Sequence, residues 1–551
     1  MAAWLFVWRG RRVAWGLVMA DHDSRAVSAW SPLRQPVFRA LWTAAVVSNI
    51  GTWMQNVGGV WLMTSLTPSP TMVALMQTAT SLPVFLVVLP AGALADIIDR
   101  RRTLLFTQAW MCAAAAGLSV LTLVGATTPW LLLSLTFALG LGSAMNMPVW
   151  QAVVPELVPR PELPAAVGLN SVAFNIARAT GPALGGIIVA IAGPSAVFLL
   201  NAASFLGVIA VVYRWNRSAR ERSLPAEHVI AAIRAGIRYT VHAPELRAVL
   251  ARCLAFILCG SALWALLPVV ARHDLGLGSG GFGGLLGCIG AGALLGAAIL
   301  PKLRRSASTD ALVRGGTVGM ALVIVGLAFL RNIGLLYAVM VVGGVAWMAT
   351  MANLTVAAQT SAPSWVRARA LGFYVLAFQG GMAVASATWG VVAEHSGNSF
   401  ALACASIGLA VGLLASLKWP LQSGADLDLR PSLHWPEPTV LVEPDLEEGP
   451  VLVTIEYRVD AANAADFVKA VHALGRIRQR DGARRWGLFR DLADRSRYIE
   501  TYIVQSWAEH LRQHVRVTVA DRAAEDRVRA LHGGDNPPAV SHFMYERDTR
   551  G

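Results

Sequence analysis

Charge is what this chain has least of. Of its 551 residues, 14% are Asp, Glu, Lys or Arg and 55% are hydrophobic, and the mean hydropathy is +0.53. Soluble domains carry about 25% charged residues, so the composition excludes an ordinary soluble enzyme and favours lipid as the main solvent. The shortage is uneven. Thirty-five of the 79 charged residues lie in 443–551, which separates a long membrane section from a small soluble tail. Cysteine is scarce as well. Cys112, Cys253, Cys259, Cys288 and Cys404 stand singly in apolar segments with no Cys-x-x-Cys pair, which excludes a disulfide framework or a thiolate metal site. No metal and no cofactor are expected. The net charge is +13 and the pI near 10.2, yet the arginines are dispersed through loops rather than gathered on one face, so no nucleic-acid partner is expected.

What is abundant is the apolar run. Stretches of about 20 residues, enough to cross a bilayer, fall near 40–64, 71–95, 104–124, 130–153, 166–192 and 195–213. Six more follow near 250–271, 282–301, 312–330, 334–358, 370–393 and 399–418. The expected fold is an all-α polytopic membrane protein of twelve transmembrane helices in two six-helix repeats, with a small α+β domain behind it. With the N-terminus inside, the inner loops take Arg100, Arg101, Arg102, Arg160, eight arginines across 214–252, then Lys302, Arg304, Arg305, Arg314, Arg367 and Arg369. The outer loops keep only Arg272 and Arg331. That bias places both ends of the membrane section in the cytoplasm, in a multi-pass protein of a bacterial inner membrane.

A shift of 204 residues lays one half on the other. Gly92, Arg100 and Arg101 fall on Gly296, Arg304 and Arg305, "AFN" at 173–175 falls on "AFQ" at 377–379, and Pro159 on Pro363. Parallel six-helix repeats around a midplane cavity are the plan of alternating-access transporters.

Six segments result. Residues 1–36 are expected to be a disordered leader, because "MAAWLFVWRGRRVAWGLVMA" is broken by Arg9, Arg11 and Arg12 and has the wrong order for a signal peptide. Translation from Met1 or from Met19 stays open. Residues 37–213 form the first bundle and 250–418 the second. Between them, 214–249 links the halves through "AEHVIAAIRAGIRYTVH", whose Val229, Ile230, Ile233 and Ile237 share one helix face, as expected for an amphipathic helix on the inner membrane surface. A Pro-rich linker occupies 419–448. Residues 449–551 are the cytoplasmic tail: strand 451–459, helix 461–478, strands 485–491 and 497–506, helix 507–531, strand 539–546. The order βαββαβ is that of a ferredoxin-like unit.

Two stretches resemble signatures of the major facilitator superfamily. "GALADIIDRRRTL" is similar to its loop signature between the second and third helices, and "ARATGPALGG" to its antiporter signature, Gly-x-x-x-Gly-Pro-x-x-Gly-Gly, on the fifth. "NIGTWMQNVGGVWLMTSLT" and "QAVVPELVPRPELPAAVGLNS" resemble the branch containing the enterobactin exporter and the transmembrane secretion effectors. The resemblance spans roughly 36–420 and says nothing of substrate. It implies a gating role for Gly92, Asp96, Arg100 and Arg101, with Asp96 and Arg100 as a latch, Arg101 and Arg102 being read as anchors. Departures are Asp99 in place of Gly, Ile97 where a basic residue is frequent, Ala177 where the second signature begins with Gly, and Leu300 where the repeat would place a second Asp. The tail's "RRWGLFRD" and "SWAEHLRQHVR" resemble cofactor-free antibiotic-biosynthesis monooxygenase domains, which implies self-association through its sheet rather than catalysis. His510 and His514 share a helix face, but two histidines without a third ligand make no metal site.

Gly181, Pro182, Gly185 and Gly186 are expected to let a neighbouring backbone approach and to bend the helix. Arg178 stands among them near the middle of its span, and an ionisable group at that depth marks either a functional site or a packing contact to backbone carbonyls. Both readings stay open. Asn49, Thr52 and Gln55 make a polar stripe on the first helix, and with Asn175 and Arg178 they are the candidate substrate cavity. Trp61, Trp264 and Trp389 could stack on an aromatic ligand, although interface belts and packing are commoner. No Asp or Glu lies mid-span to carry a proton; Asp96, Glu156 and Glu394 sit at helix ends.

The expected function is secondary active export of a small molecule, a siderophore or similar secondary metabolite, by a proton-coupled antiporter embedded in lipid. A multidrug or macrolide pump is the alternative. A membrane-anchored sensor, or a monooxygenase working through the tail, is the alternative from another class.

Overall fold

The computed structural model describes residues 28–97, 99–215, 229–418, 420–421, 428–435, 440, 444–534 and 536–546, with backbone alone at 89–97 and 229–233. Residues 1–27 of the expected leader lie outside these residues, as does much of the Pro-rich linker. The last part of that leader, 28–36, is ordered rather than disordered, because Ser31–Arg34 form a short 3-10 turn with Ser31 and Pro32 buried just before the first long helix. Among the described residues twelve α-helices precede the tail: α1 (Pro36–Leu66), α2 (Pro70–Ile97), α3 (Arg100–Leu123), α4 (Pro129–Leu157), α5 (Leu163–Arg214), α6 (Val229–His242), α7 (Pro244–Val269), α8 (Ser279–Ser306), α9 (Thr309–Phe329), α10 (Ile333–Thr360), α11 (Arg367–Ser396) and α12 (Asn398–Ala415). Among the described residues, ten helices are long and apolar enough to cross a membrane. They are α2 to α5 and α7 to α12. The short α6 is not one of them, and neither is α1, whose 31 residues carry the polar stripe of Asn49, Thr52, Gln55 and Asn56.

The two spans expected at 166–192 and 195–213 form one element. At about 1.5 Å per residue, the 52 residues of α5 would reach about 78 Å as a straight rod, more than twice the thickness of a bilayer. The chain turns at Gly193, whose φ of 79° and ψ of 170° are non-helical, with Pro194 opening the next turn. The neighbours on α1 show the reversal. A β-carbon on Gly58 would touch both Val189 and Val197; going back along α1, Gly51 meets Asn201 and Ser204, while Met54 and Trp53 meet Gly185 and Gly181. The two halves of α5 therefore run side by side in opposite directions along α1. Gly397, at the turn from α11 to α12, has φ 87° and ψ 156°. It stands on Gly193 at the same 204-residue shift found in the sequence.

The packing repeats in the same way. In the first half α1 lies on α5, α2 on α4, and α3 on α4 and α5; in the second, α7 lies on α11, α8 on α10, and α9 on α10 and α12. Between the halves α2 packs on α11 and α5 on α8. The amphipathic helix expected in the linker is α6. It lies on α7 and α11, and its Tyr239, with Ala243 and Leu246 beyond it, forms one apolar cluster with Ala362, Val366 and Ala370.

The tail contains β1 (Val451–Arg458), α13 (Ala464–Asp481), β2 (Arg484–Arg490), β3 (Arg497–Val504), α14 (Trp507–Arg516), α15 (Val519–Ala530) and β4 (Ala539–Met544). The sheet order is β2-β3-β1-β4, every pair antiparallel. Val451, Val453, Ile455 and Tyr457 of β1 alternate inward and pack with Phe467, Val471 and Leu474 of α13. The helix expected at 507–531 is two helices. Val517 and Thr518 interrupt it, and Thr518 with Asp521 forms a capping box that starts α15.

Candidate functional site

The Gly-Pro-x-x-Gly-Gly stretch serves two neighbours at once. Toward α1, a β-carbon on Gly181 would stand 2.5 Å from Trp53 Cβ, and one on Gly185 would stand 2.9 Å from Met54 Cα. Toward α8, one on Gly186 would stand 2.6 Å from the Ser279 carbonyl oxygen and 2.8 Å from Gly283 Cα. Gly283 in turn meets the Pro182 carbonyl oxygen at 2.9 Å, and Gly290 meets Ala179 Cα at 2.9 Å and the Arg178 carbonyl at 3.3 Å. Small residues at this spacing let three backbones close up, two from one bundle and one from the other.

Arg178 is half-buried at the last of these contacts. Its Nη2 donates to Asn175 Oδ1 at 3.3 Å, and Asn175 Nδ2 donates to the Ser171 carbonyl at 2.9 Å. No carboxylate pairs with Arg178 among the described residues. Asn49 is half-buried nearby on α1, where Trp53 meets Phe174 of α5 edge to face at 6.2 Å. The Thr52 hydroxyl donates to the Ser48 carbonyl of its own helix at 2.9 Å. Gln55 stands apart. It is 6% exposed, and its Oε1 accepts from Asn201 Nδ2 at 2.5 Å inside the first bundle. Asn201 is the residue the sequence reading passed over; its one signal was Ser204, which donates to Asn201 Oδ1 at 3.2 Å from the same helix face.

In the loop signature, Gly92 and Asp96 lie on the backbone of α2, and the Asp96 side chain falls outside the described residues. Arg100 Nη1 donates to Glu156 Oε1 at 2.6 Å and to the Ala152 carbonyl at 2.9 Å, so its described partner is on α4. Arg101 donates from Nε to the Val212 carbonyl at 3.1 Å and from Nη2 to the Tyr213 carbonyl at 2.5 Å, satisfying the last turn of α5. Asp99, the departure from the signature, is the N-cap of α3: its Oδ1 accepts from the Arg102 amide at 2.9 Å. In the second half Arg304 reaches α10 likewise, donating to Asn353 Oδ1 at 2.9 Å.

At the end of the molecule away from the tail, the halves are joined by side chains. Trp61 stacks on Phe282 at 5.8 Å with Arg272 5.1 Å over its ring, and Arg272 also donates to Thr64 Oγ1 at 3.3 Å. Ser69 donates to Glu394 Oε2 at 2.9 Å, and further along α2, away from that end, Thr78 donates to the Ala383 carbonyl at 2.8 Å. Trp389 donates to the Leu258 carbonyl at 2.7 Å, a packing contact within the second bundle. Trp264 meets Trp347 at 5.3 Å, and Trp347 also meets Phe256 and Phe378.

The tail's interior is charged. Arg478 donates to Glu525 Oε1 at 2.8 Å and lies 3.6 Å from Glu500 Oε1, with all three groups almost wholly buried. The Arg478 charge holds the Glu525 carboxyl below its ordinary value against the opposing effect of burial, which alone would raise it. His510 and His514, expected on one face, are joined by His542 of β4, with ring centres 5.1 Å and 4.6 Å from His510. Burial pushes His510 down to about 3, and lowers His514 and His542 as well. Among the described residues no three of His, Cys, Asp or Glu are placed to hold a metal ion.

Residues 27–549 match the family described as "Transmembrane secretion effector". Among curated relatives, the chain is 26% identical over 402 residues to the uncharacterised MFS-type transporter YfiS of Bacillus subtilis, covering 69% of this chain and 94% of that one. It is 25% identical over 347 residues to the multidrug efflux pump Tap of Mycolicibacterium fortuitum, covering 60% and 82%. It is also 25% identical over 298 residues to the enterobactin exporter EntS of Shigella dysenteriae, covering 52% and 69%. Among solved structures, a bacterial homologue of the human lysosomal transporter Spinster superposes with a TM-score of 0.56 at 12% identity, over 70% of this chain and 98% of that one.

Proposed function

Since the chain belongs to the transmembrane secretion effector family of major facilitator transporters, and is a multi-pass membrane transporter rather than an enzyme, we propose that it exports a small molecule by alternating access. Counting α1 and both arms of α5 as crossings gives twelve spans in two bundles, 37–213 and 250–418. The arginine-rich loops face the cytoplasm in this reading, with both termini there, and 449–551 is a ferredoxin-like cytoplasmic domain able to self-associate. Substrate binds beside Arg178, Asn175, Asn49 and Thr52, where the glycine contacts of α5 with α8 end. Gln55 belongs to the same stripe but acts through Asn201, fixing α1 against α5. The loop-signature residues Gly92, Asp96, Arg100 and Arg101 gate the tail-side end, and protons drive the cycle.

One observation carries this reading. The Gly181–Gly186 stretch is wedged between its own bundle and the other, and a cation stands at the last of those contacts. A guanidinium in partly dry surroundings favours an anionic or catecholate substrate, and a siderophore fits that chemistry. The export of enterobactin by a relative supports it. The efflux activity of Tap supports the second reading, a multidrug pump. The test is efflux from cells loaded with either a catecholate siderophore or ethidium. Replacing Arg178 by Ala should cut siderophore efflux about tenfold, the worth of one charged hydrogen bond, while ethidium efflux changes little. Equal loss of both favours the multidrug reading, and siderophore efflux unchanged by Arg178→Ala removes the site.

A further inference from the structure

Among the described residues the tail is seated on the membrane section at α6 and the segment 361–366. Arg238 of α6 donates from Nη2 to Glu509 Oε1 at 3.0 Å and from Nε to the Arg480 carbonyl at 3.3 Å. The Arg480 guanidinium lies 5.7 Å over the Tyr239 ring, and that of Arg516 lies 4.5 Å over Trp365. Tyr239 and Trp365 meet edge to face at 5.9 Å, and the Tyr239 hydroxyl donates to the Ser361 carbonyl at 2.8 Å. These cations are fixed from behind. Arg480 pairs with Asp481 and with Asp521 at 2.6 Å, and Arg516 with Glu509 at 2.6 Å and the Asp481 carbonyl at 2.7 Å. Stacked guanidiniums held by carboxylates are pre-oriented and lose little freedom on docking.

The seat leads on into the bundle. A β-carbon on Gly236 of α6 would stand 2.9 Å from the Phe373 ring and 3.1 Å from Arg369 Cβ, both near the start of α11. Helix α11 is the one that packs on α2 across the boundary between the halves. Tail, α6, α11 and α2 thus form one unbroken series of contacts. None of the tail's hydrogen bonds, ion pairs or cation–π contacts among the described residues reaches α1 to α5.

We propose that the tail is a conformational brake. Seated on α6 and on the segment 361–366, it holds the start of α11 in one position and biases the exchange between the two open states. The brake rests on the rocking of two bundles proposed above. A device of this kind needs a bistable element and a contact that differs between its states; α11 is the element and the Arg238 seat is the contact.

The experiment uses the full chain with its five cysteines replaced and spin labels read by pulsed dipolar spectroscopy. One pair, Ile299 and Val515, spans from α8 to the tail; a second, Val167 and Ile299, spans the tail-side ends of α5 and α8. All three positions are exposed. The unmodified seat should give one narrow Ile299–Val515 distribution and two Val167–Ile299 distances. Arg238→Glu combined with Trp365→Ala, both outside the tail's own fold, should lose the narrow distribution and shift the ratio of the two distances about fivefold. Arg238→Lys should keep both. An unchanged Ile299–Val515 distribution overturns the seat, and release with an unchanged ratio overturns the brake. A single, invariant Val167–Ile299 distance in the unmodified seat overturns the rocking itself.

Discussion

At Gly186 the space for a side chain is already taken by the Ser279 carbonyl, whereas Gly207, further along α5, has nothing within 4 Å of where its β-carbon would be. Gly186→Val should therefore separate α5 from α8, lower the midpoint of thermal unfolding and abolish efflux, at a cost of about 1–3 kcal/mol of overpacking. Gly207→Val should leave efflux and melting near the parent values, and equal effects at the two sites would contradict the wedge. This stretch was legible in the sequence because a charge and four helix breakers among apolar residues stand out from any packing background. The Gln55–Asn201 pair was not. Both amides have ordinary helix-interior neighbours in sequence, and only the folding of α5 back along α1 brings residues 146 positions apart together. Arg100 was legible as a charge at a helix end, but its described partner, Glu156, sits on a different helix, which spacing alone does not reveal.

Among the elements, α14 and α15 show how a single polar residue divides a helical pattern. The apolar periodicity of 507–531 runs through Thr518 without a break, yet Thr518 bonds the Asp521 amide at 3.3 Å and its own amide is bonded by Asp521 at 2.9 Å. Thr518→Ala should cost the tail about 1 kcal/mol, seen as a lower urea midpoint for its unfolding. The ion network behind it is a larger lever. Arg478→Ala leaves Glu500 and Glu525 buried without their cation, and loss of one partner of a buried pair costs about 3–5 kcal/mol, so the tail should unfold while the bundles remain inserted.

Acid acts on the same element. His510 is held down to about 3, and His514 and His542 are lowered, so the folded tail binds fewer protons there than the unfolded chain. The stability these rings contribute is complete above the unfolded value of about 6.5 and is lost as pH falls from there toward about 3. Arg478 opposes protonation of His510 and His514, while Glu525 favours that of His514. The tail's melting point should fall steadily from pH 7 to pH 4.5, and His510→Phe, which cannot titrate, should flatten the profile. A flat profile in the parent would contradict the burial of these rings.

Over the whole molecule, a chain ending after Gln422 keeps every helix packed between the bundles and loses only the tail with the rest of its linker. It should insert and still export the catecholate siderophore, with a changed rate; complete loss of export would make the tail part of the pathway. The plan of two halves was readable because a 204-residue shift links short, spaced identities, and the same shift recurs in the pairing of helices and in Gly193 and Gly397. The seat of the tail was unreadable, since Arg238, Tyr239 and Trp365 look in sequence like ordinary interfacial residues.

Gly193 also bears on everything that follows it. A residue with a side chain pays a strain of about 1–3 kcal/mol at such a φ and ψ, a region left almost entirely to glycine, and the run from Leu163 to Arg214 has no other described break. On the twelve-span reading proposed above, a run that continued straight there would carry its second arm out of the lipid instead of back through it. Each later segment would then emerge on the opposite face of the membrane, the tail included. On that reading the sidedness of more than half the protein turns on a position where a hydrogen atom stands in place of carbon.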